Sequence, residues 1–346
     1  MEMTSTQKKF GLGAAAVILL AVAFYFFYWI KTPVYSLNII RESVQKHDVV
    51  TFEKHVDLDS VYNKAFDDAI VAMDKIEGKG TLSNPMAAGF LQMMKPAVVT
   101  AFKTKTLDAV KGTDAASGDG SNADKITESL QKRANIEDAA IKNISTVSKE
   151  NQEAVVSVVF HDNKLDKDFE LKLKMTALDD GTWKVKEITN LTDYLVEEDK
   201  AEKAKLAELN KPIKEELEKA VTIQNGPLTV ESDGNPYFAS HTAKFHASFK
   251  NNSGKEISEF TVKVSILDNE NRVRSQDVEH VSNKPLPSGQ TMTLDSNQRL
   301  NPFMDPDKDM ISRPKNFKKV AELTEIKYSD GTEVKLLDKI PSPSKK

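Results

Sequence analysis

Two aspartates, Asp48 and Asp57, and two histidines, His47 and His55, fall close together early in the chain. A carboxylate pair is minimal equipment for general acid–base chemistry. Each aspartate has a simpler task as a helix N-cap, worth about 1 kcal/mol, and that is the reading adopted. His47 and His55 flank a helix boundary with no third ligand in view. His241 and His246 stand an odd number of positions apart on an expected strand, so they face opposite sides and cannot share a metal. The run Asp305-Pro306-Asp307-Lys308-Asp309 imitates the start of a calcium loop. Such a loop needs Gly at its sixth position and a carboxylate at its twelfth, where Met310 and Asn316 stand. It is read as a solvated acidic loop. There is no Gly-x-Ser-x-Gly elbow, phosphate-binding loop or His-Glu-x-x-His. No catalytic residue, metal ligand or cofactor is assigned.

Composition narrows the classes further. The absence of cysteine removes disulfides, thiolate metal sites and cysteine nucleophiles together. A net charge of −4 carries no basic excess, which sets nucleic acid aside as a partner. With 29% charged and 39% hydrophobic residues the chain reads as globular rather than disordered. Its 346 residues leave room for two ordinary domains.

Gly11 to Ile30 carries no charge and is close to the roughly 20 residues that a helix needs to cross a bilayer. The expectation is a transmembrane anchor over 11–30 behind a cytoplasmic tail of residues 1–10, oriented by Lys8 and Lys9. The protein is thus expected at the cell membrane, single-pass, with its bulk outside the cytoplasm. Phe24, Tyr25, Phe26, Phe27, Tyr28 and Trp29 would form the aromatic belt at the membrane interface. The competing reading is a signal peptide cut after Ala21-Val22-Ala23. That cut would leave the aromatic run as a sticky new N-terminus, so the anchor is preferred.

Beyond Pro33 the period is helical. Leu37, Ile40 and Val44 share a face, and Asp48 and Asp57 are placed to cap the next two helices. The second of these carries Leu58, Val61, Tyr62, Ala65, Phe66, Ala69, Ile70, Met73 and Ile76 in steps of three and one. A further helix from Pro85 carries Phe90, Leu91, Met94, Val98 and Phe102, with Pro96 expected to bend it. The stretch 111–124 reads as a Gly/Ser/Asp loop, and 126–131 as a short amphipathic segment. Then the period becomes two: Phe169, Leu171, Leu173 and Met175 alternate with charged neighbours, and Trp183 and Val185 follow an Asp-Gly turn. An α+β domain over residues 34–195 follows, with helices on one face of an antiparallel sheet. Residues 196–222 read as a charged helical linker interrupted near Pro212. Short strands over 227–340, such as Ala243/Phe245/Ala247/Phe249 and Phe260/Val262/Val264/Ile266, predict an all-β sandwich. Residues 341–346 are expected to be a disordered tail.

Two resemblances accompany these readings. Pro33, Tyr35, Leu37, Asp48, Phe52, Val56 and Asp57, followed by the stretch from Asn84 to Met94, resemble a bacterial membrane-anchored family of unknown function. Its members open with Tyr-x-x-Pro-x-Tyr-x-Leu, and the likeness covers about residues 34–110. That family carries an Arg shortly after the Val-Asp pair, where this chain has Tyr62-Asn63, so no role transfers for it. The helices-then-curved-sheet order also looks like the cone-shaped fold of nuclear transport factor 2 relatives. Asn251, Asp268, Leu286 and Gly289 match the pattern of immunoglobulin-like modules in bacterial envelope proteins, which implies a structural or adhesive role.

The functional expectation is a non-enzymatic, membrane-anchored scaffold or binding protein of the bacterial cell envelope, tethering a protein partner through its β domain. The alternative is a small-ligand protein, for a lipid or metabolite, with a pocket in the α+β domain lined by Phe66, Met73, Phe90, Met94 and Trp183. A hydrolase in the same pocket is a third class, and nothing in the sequence specifies it.

Overall fold

The computed structural model describes residues 28–77, 85–113, 139–234, 239–282 and 284–341. The chain divides into two compact units, Met1–Lys203 with Ser342–Lys346, and Ala204–Pro341.

The first unit opens with a single 3-10 turn, Trp29–Lys31, and then helix α1, Pro33–Gln45. Thr32 caps α1 by accepting from the Tyr35 amide at 3.1 Å, and Pro33 stands at the first turn, where its missing N–H costs nothing. Asp48 caps α2, Val49–His55, by accepting from Thr51 N at 3.0 Å. Asp57 accepts from Ser60 N at 3.1 Å at the start of α3, Leu58–Glu77. Its second oxygen takes Lys186 Nζ at 2.6 Å, so one carboxylate both starts α3 and ties it to the sheet. Helix α4 spans Pro85–Lys111.

A four-stranded antiparallel meander follows: β1 Ala139–Glu150, β2 Glu153–Asp162, β3 Lys167–Ala177 and β4 Trp183–Ile188, in sheet order. Ala154, Val156, Met175, Trp183 and Val185 form the core of this sheet against Val34, Leu37 and Ile40 of α1. Helix α5 spans Leu191–Ala220 and belongs to the first unit up to Lys203. It runs through Pro212 without the interruption expected there. Proline removes one donor, and the carbonyl it would have served, at exposed Glu208, can turn to water.

The second unit holds two antiparallel sheets. In one, β10 Thr291–Leu300, β7 His241–Asn251 and β5 Val221–Asn225 are neighbours, and β6 Thr229–Ser232 pairs with β7. The other has the order β12 Glu333–Lys335, β11 Phe317–Tyr328, β8 Ile257–Asp268 and β9 Val273–Val281. Phe245, Phe249, Phe260, Val262, Val264 and Leu323 of both sheets share one core with Leu217. Asp305–Ser312 is a helix, α6, and not the acidic loop expected at Asp305–Asp309. Asp307 accepts from the Asn301 amide at 2.7 Å and Asp309 pairs with Arg313 at 2.6 Å, so local bonds hold both carboxylates.

The expected fold class needs correction. No helix among the described residues is long and apolar enough to cross a membrane. Every helix of the described chain carries charged residues along its length, and the described end of segment 11–30 is a 3-10 turn with Tyr28 and Trp29 exposed. Residues 1–27, Phe24, Tyr25, Phe26 and Phe27 among them, lie outside the described residues, as do 126–131 and the expected tail from 342. The described residues form a mixture of helices with three four-stranded antiparallel sheets in two units, with no membrane-crossing helix among them and nothing that supports the cone-like and immunoglobulin-like labels.

Candidate functional site: an apolar cavity with an acidic side

The first unit holds a partly open cavity of about 320 Å³, within the range of small-molecule sites. Helix α3 lines it with the face expected to be core: Tyr62, Ala65, Phe66, Ala69, Met73 and Ile76 recur at helical spacing. From α4 come Val98, Val99 and Phe102, and from the sheet Leu171 and Ile188. Phe66, Val98 and Val99 are buried together, and Tyr62 stacks on Phe102 with centroids 5.5 Å apart. The Tyr62 hydroxyl is engaged by Thr106. Small residues, Ala65, Ala69 and Ala72, leave the space that larger side chains would fill.

The last wall is α5, which presents Leu191, Tyr194, Leu195, Glu198, Asp199 and Glu202. Its stripe is apolar at the start and acidic one turn on. Tyr194 is 5% exposed and its ring is held edge-on by Phe160 and Phe169, at 5.9 and 5.6 Å between centroids. Its hydroxyl makes no hydrogen bond with any described residue. Burial, followed by the charges of Glu198 and Asp162, pushes its pKa up.

Glu198 makes neither hydrogen bond nor ion pair among the described residues, whereas its neighbours are paired. Asp199 meets Lys203 at 2.7 Å and Glu202 meets Lys164 at 2.9 Å. Burial first, then the like charges of Glu202, Asp162 and Asp199, push the Glu198 carboxyl up to about 7, against a smaller opposing pull from Lys164. Among the described residues no Lys, Arg or His lines the cavity. The wall offers hydrophobic contact, one unpartnered phenol and one uncompensated carboxyl.

Of the five pocket residues expected from sequence, Phe66 and Met73 line the cavity. Phe90 is 49% exposed on α4, Met94 lies outside the lining, and Trp183 is buried in the sheet core with its indole N–H donating to Lys31 O at 2.9 Å. Tyr194 and Glu198 were missed, because Glu198 falls in the stretch read as a charged linker and Tyr194 lies at its border. The signal was present: Leu191, Tyr194, Leu195 and Glu198 keep the 3.6-residue period.

The other chemistry-bearing residues are engaged locally. Buried His55 bonds Thr51 O at 2.8 Å and Thr182 Oγ1 at 3.2 Å, and His47 bonds Val110 O at 2.9 Å. His241 meets Ser232 Oγ at 2.6 Å on β7, while His246 is exposed. Asp48 and Asp57 are helix caps.

No protein-family model matches the chain, and no curated protein matches it. Solved structures similar to parts of it include a target of the Northeast Structural Genomics Consortium, with a TM-score of 0.24 and 12% identity over 37% of this chain and 91% of its own. Another is an ApaA protein from Bordetella pertussis, at 0.22 and 15% over 34% and 91%. A hypothetical protein from Peptoclostridium difficile 630 reaches 0.14 and 11% over 33% and 85%. Scores this low support no argument about fold or function, and the site is interpreted from its own geometry.

Proposed function

We propose that the protein binds a small, largely apolar molecule in the cavity of its first unit, without turning it over. The observation that carries this reading is the Tyr194 hydroxyl, without a partner among the described residues, at the wall of a cavity whose other lining is aliphatic and aromatic apart from Glu198, Asp199 and Glu202 of α5. A bound molecule that hydrogen-bonds this hydroxyl gains roughly 0.5–1.5 kcal/mol. Apolar lining with a few convergent polar groups is the usual make-up of a small-molecule site. Binding of this kind requires nothing of segment 11–30.

The test is uptake of a neutral fluorescent probe, N-phenylnaphthylamine, by the full chain, and its displacement by decanol. Saturable uptake that Ala69→Leu abolishes supports the reading. Absence of uptake, or uptake indifferent to that substitution, contradicts it.

A second reading has its own observation. Phe303, 93% exposed, and Met304 stand beside each other in the second unit, and Val273 and Val278 are exposed on β9 at a sheet edge. Apolar groups on an open edge are what a partner-tethering β domain would offer, and crosslinking through residues 227–340 tests it.

A further inference from the structure

Resting on that reading of the cavity, we infer that its ligand is a hydrophobic amine: an apolar body lying among α3, α4 and the sheet, with a protonated nitrogen placed against Glu198.

The chemistry of the wall selects the charge of the guest. An anionic head group would meet Glu198, Asp199 and Glu202 on α5, with Asp162 of β2 close behind, and no cation of the lining to offset them. The cations in reach are committed, Lys164 to Glu202 and Lys203 to Asp199. A neutral guest would leave Glu198 uncompensated. A primary ammonium supplies the missing positive charge and three donors, enough for the carboxylate and the Tyr194 oxygen together. The remaining lining from α3, α4, β3 and β4 contributes no charged group, so the rest of the guest must be apolar.

The titration of Glu198 adds a signature. An alkylamine, like a lysine side chain, stays protonated below about pH 10. Its affinity should therefore rise as Glu198 ionises, through the region near 7. The groups facing this carboxyl are Tyr194, Asp199 and Glu202 of α5, Asp162 of β2 and Lys164 of the β2–β3 turn.

The experiment is displacement of N-phenylnaphthylamine from the full chain by decylamine, decanol and decanoic acid, at about pH 5 and about pH 8. The expected result is decylamine about tenfold tighter than decanol at the higher pH, as for a hydrogen bond to a charged group. That margin should narrow at the lower pH and vanish in Glu198→Gln. Decanol binding as tightly as decylamine at both pH values, or decanoic acid binding best, overturns the amine inference and leaves the cavity reading standing. If the probe does not enter at all, the cavity reading fails and the inference with it.

Discussion

Tyr194 and Glu198 stand one helical turn apart on α5 and both face the cavity, and the charge of the carboxylate helps raise the phenol's pKa. Neither has a protein partner among the described residues. Two unpartnered polar groups facing a cavity lined mostly by hydrophobic side chains are placed for a guest rather than for the fold.

Their cost to the fold is measurable. The Glu198 carboxyl is pushed from an ordinary 4.5 up to about 7, so the folded state holds its proton more tightly than the unfolded chain does. Stability therefore falls as pH rises from about 4.5 to about 7 and is level beyond. Glu198→Gln lacks that fall. The melting temperature of the variant should exceed that of the parent by a margin that grows from about pH 5 to about pH 8, followed by the fluorescence of buried Trp183.

Filling the cavity separates binding from folding. Ala69, on the α3 wall and 7% exposed, has open space before it. Ala69→Leu should lower probe affinity at least about tenfold while changing stability by less than about 1.5 kcal/mol, because the added carbons enter a void instead of a packed core. Probe titration beside a thermal melt reads both.

In the second unit, Lys319 is only 5% exposed, with Nζ 3.0 Å from Ser296 Oγ and 5.9 Å from the Phe245 ring centre. Burial lowers its pKa below 10.5, against the opposing pull of Glu279 and Asp277. A folded-state lysine that gives up its proton more readily makes stability rise with pH between its lowered value and 10.5. Lys319→Met should remove this rise and stabilise the unit by about 1 kcal/mol at neutral pH. Denaturant titrations at neutral and alkaline pH check it.

Asn251 is 0% exposed and satisfies its whole amide. Its nitrogen donates to Lys255 O at 2.7 Å and Leu286 O at 2.8 Å, and its oxygen accepts from Ser253 N and Oγ at 2.9 and 2.7 Å. Asn251→Ala removes the four hydrogen bonds of this fully buried amide and should cost about 3 kcal/mol. Faster amide hydrogen exchange in β7 and β8 would show it, and unchanged exchange would mean that the turns hold without this side chain.

The elements were more legible than the site. Asp48 and Asp57 announced two helix starts because a cap is a local device, read from one residue and its next few neighbours. Phe169 and Met175 announced a strand with one buried face by their alternation, and the structure buries both. The expectation at Phe90 failed for a geometric reason. Phe90, Met94, Val98 and Phe102 advance by four, and each such step overshoots a 3.6-residue turn by about 40°. Three steps carry the direction about 120° round the helix, so Val98 and Phe102 reach the cavity while Phe90 faces water. Trp183 was grouped with Phe66 and Met73 although its strand turns it toward Met175 and Val156, and such a choice depends on tertiary pairing. Tyr194 and Glu198 were hidden by composition, since a helix rich in Glu and Lys reads as solvated until the sheet and α3 are placed beside it.

The most direct measurement is a crystal structure of the full chain grown with decylamine. The account predicts an alkyl chain between α3, α4 and α5, with its nitrogen about 3 Å from a Glu198 oxygen. An empty cavity in crystals with decylamine bound elsewhere, or a bound alkyl chain whose nitrogen points away from α5, would contradict it.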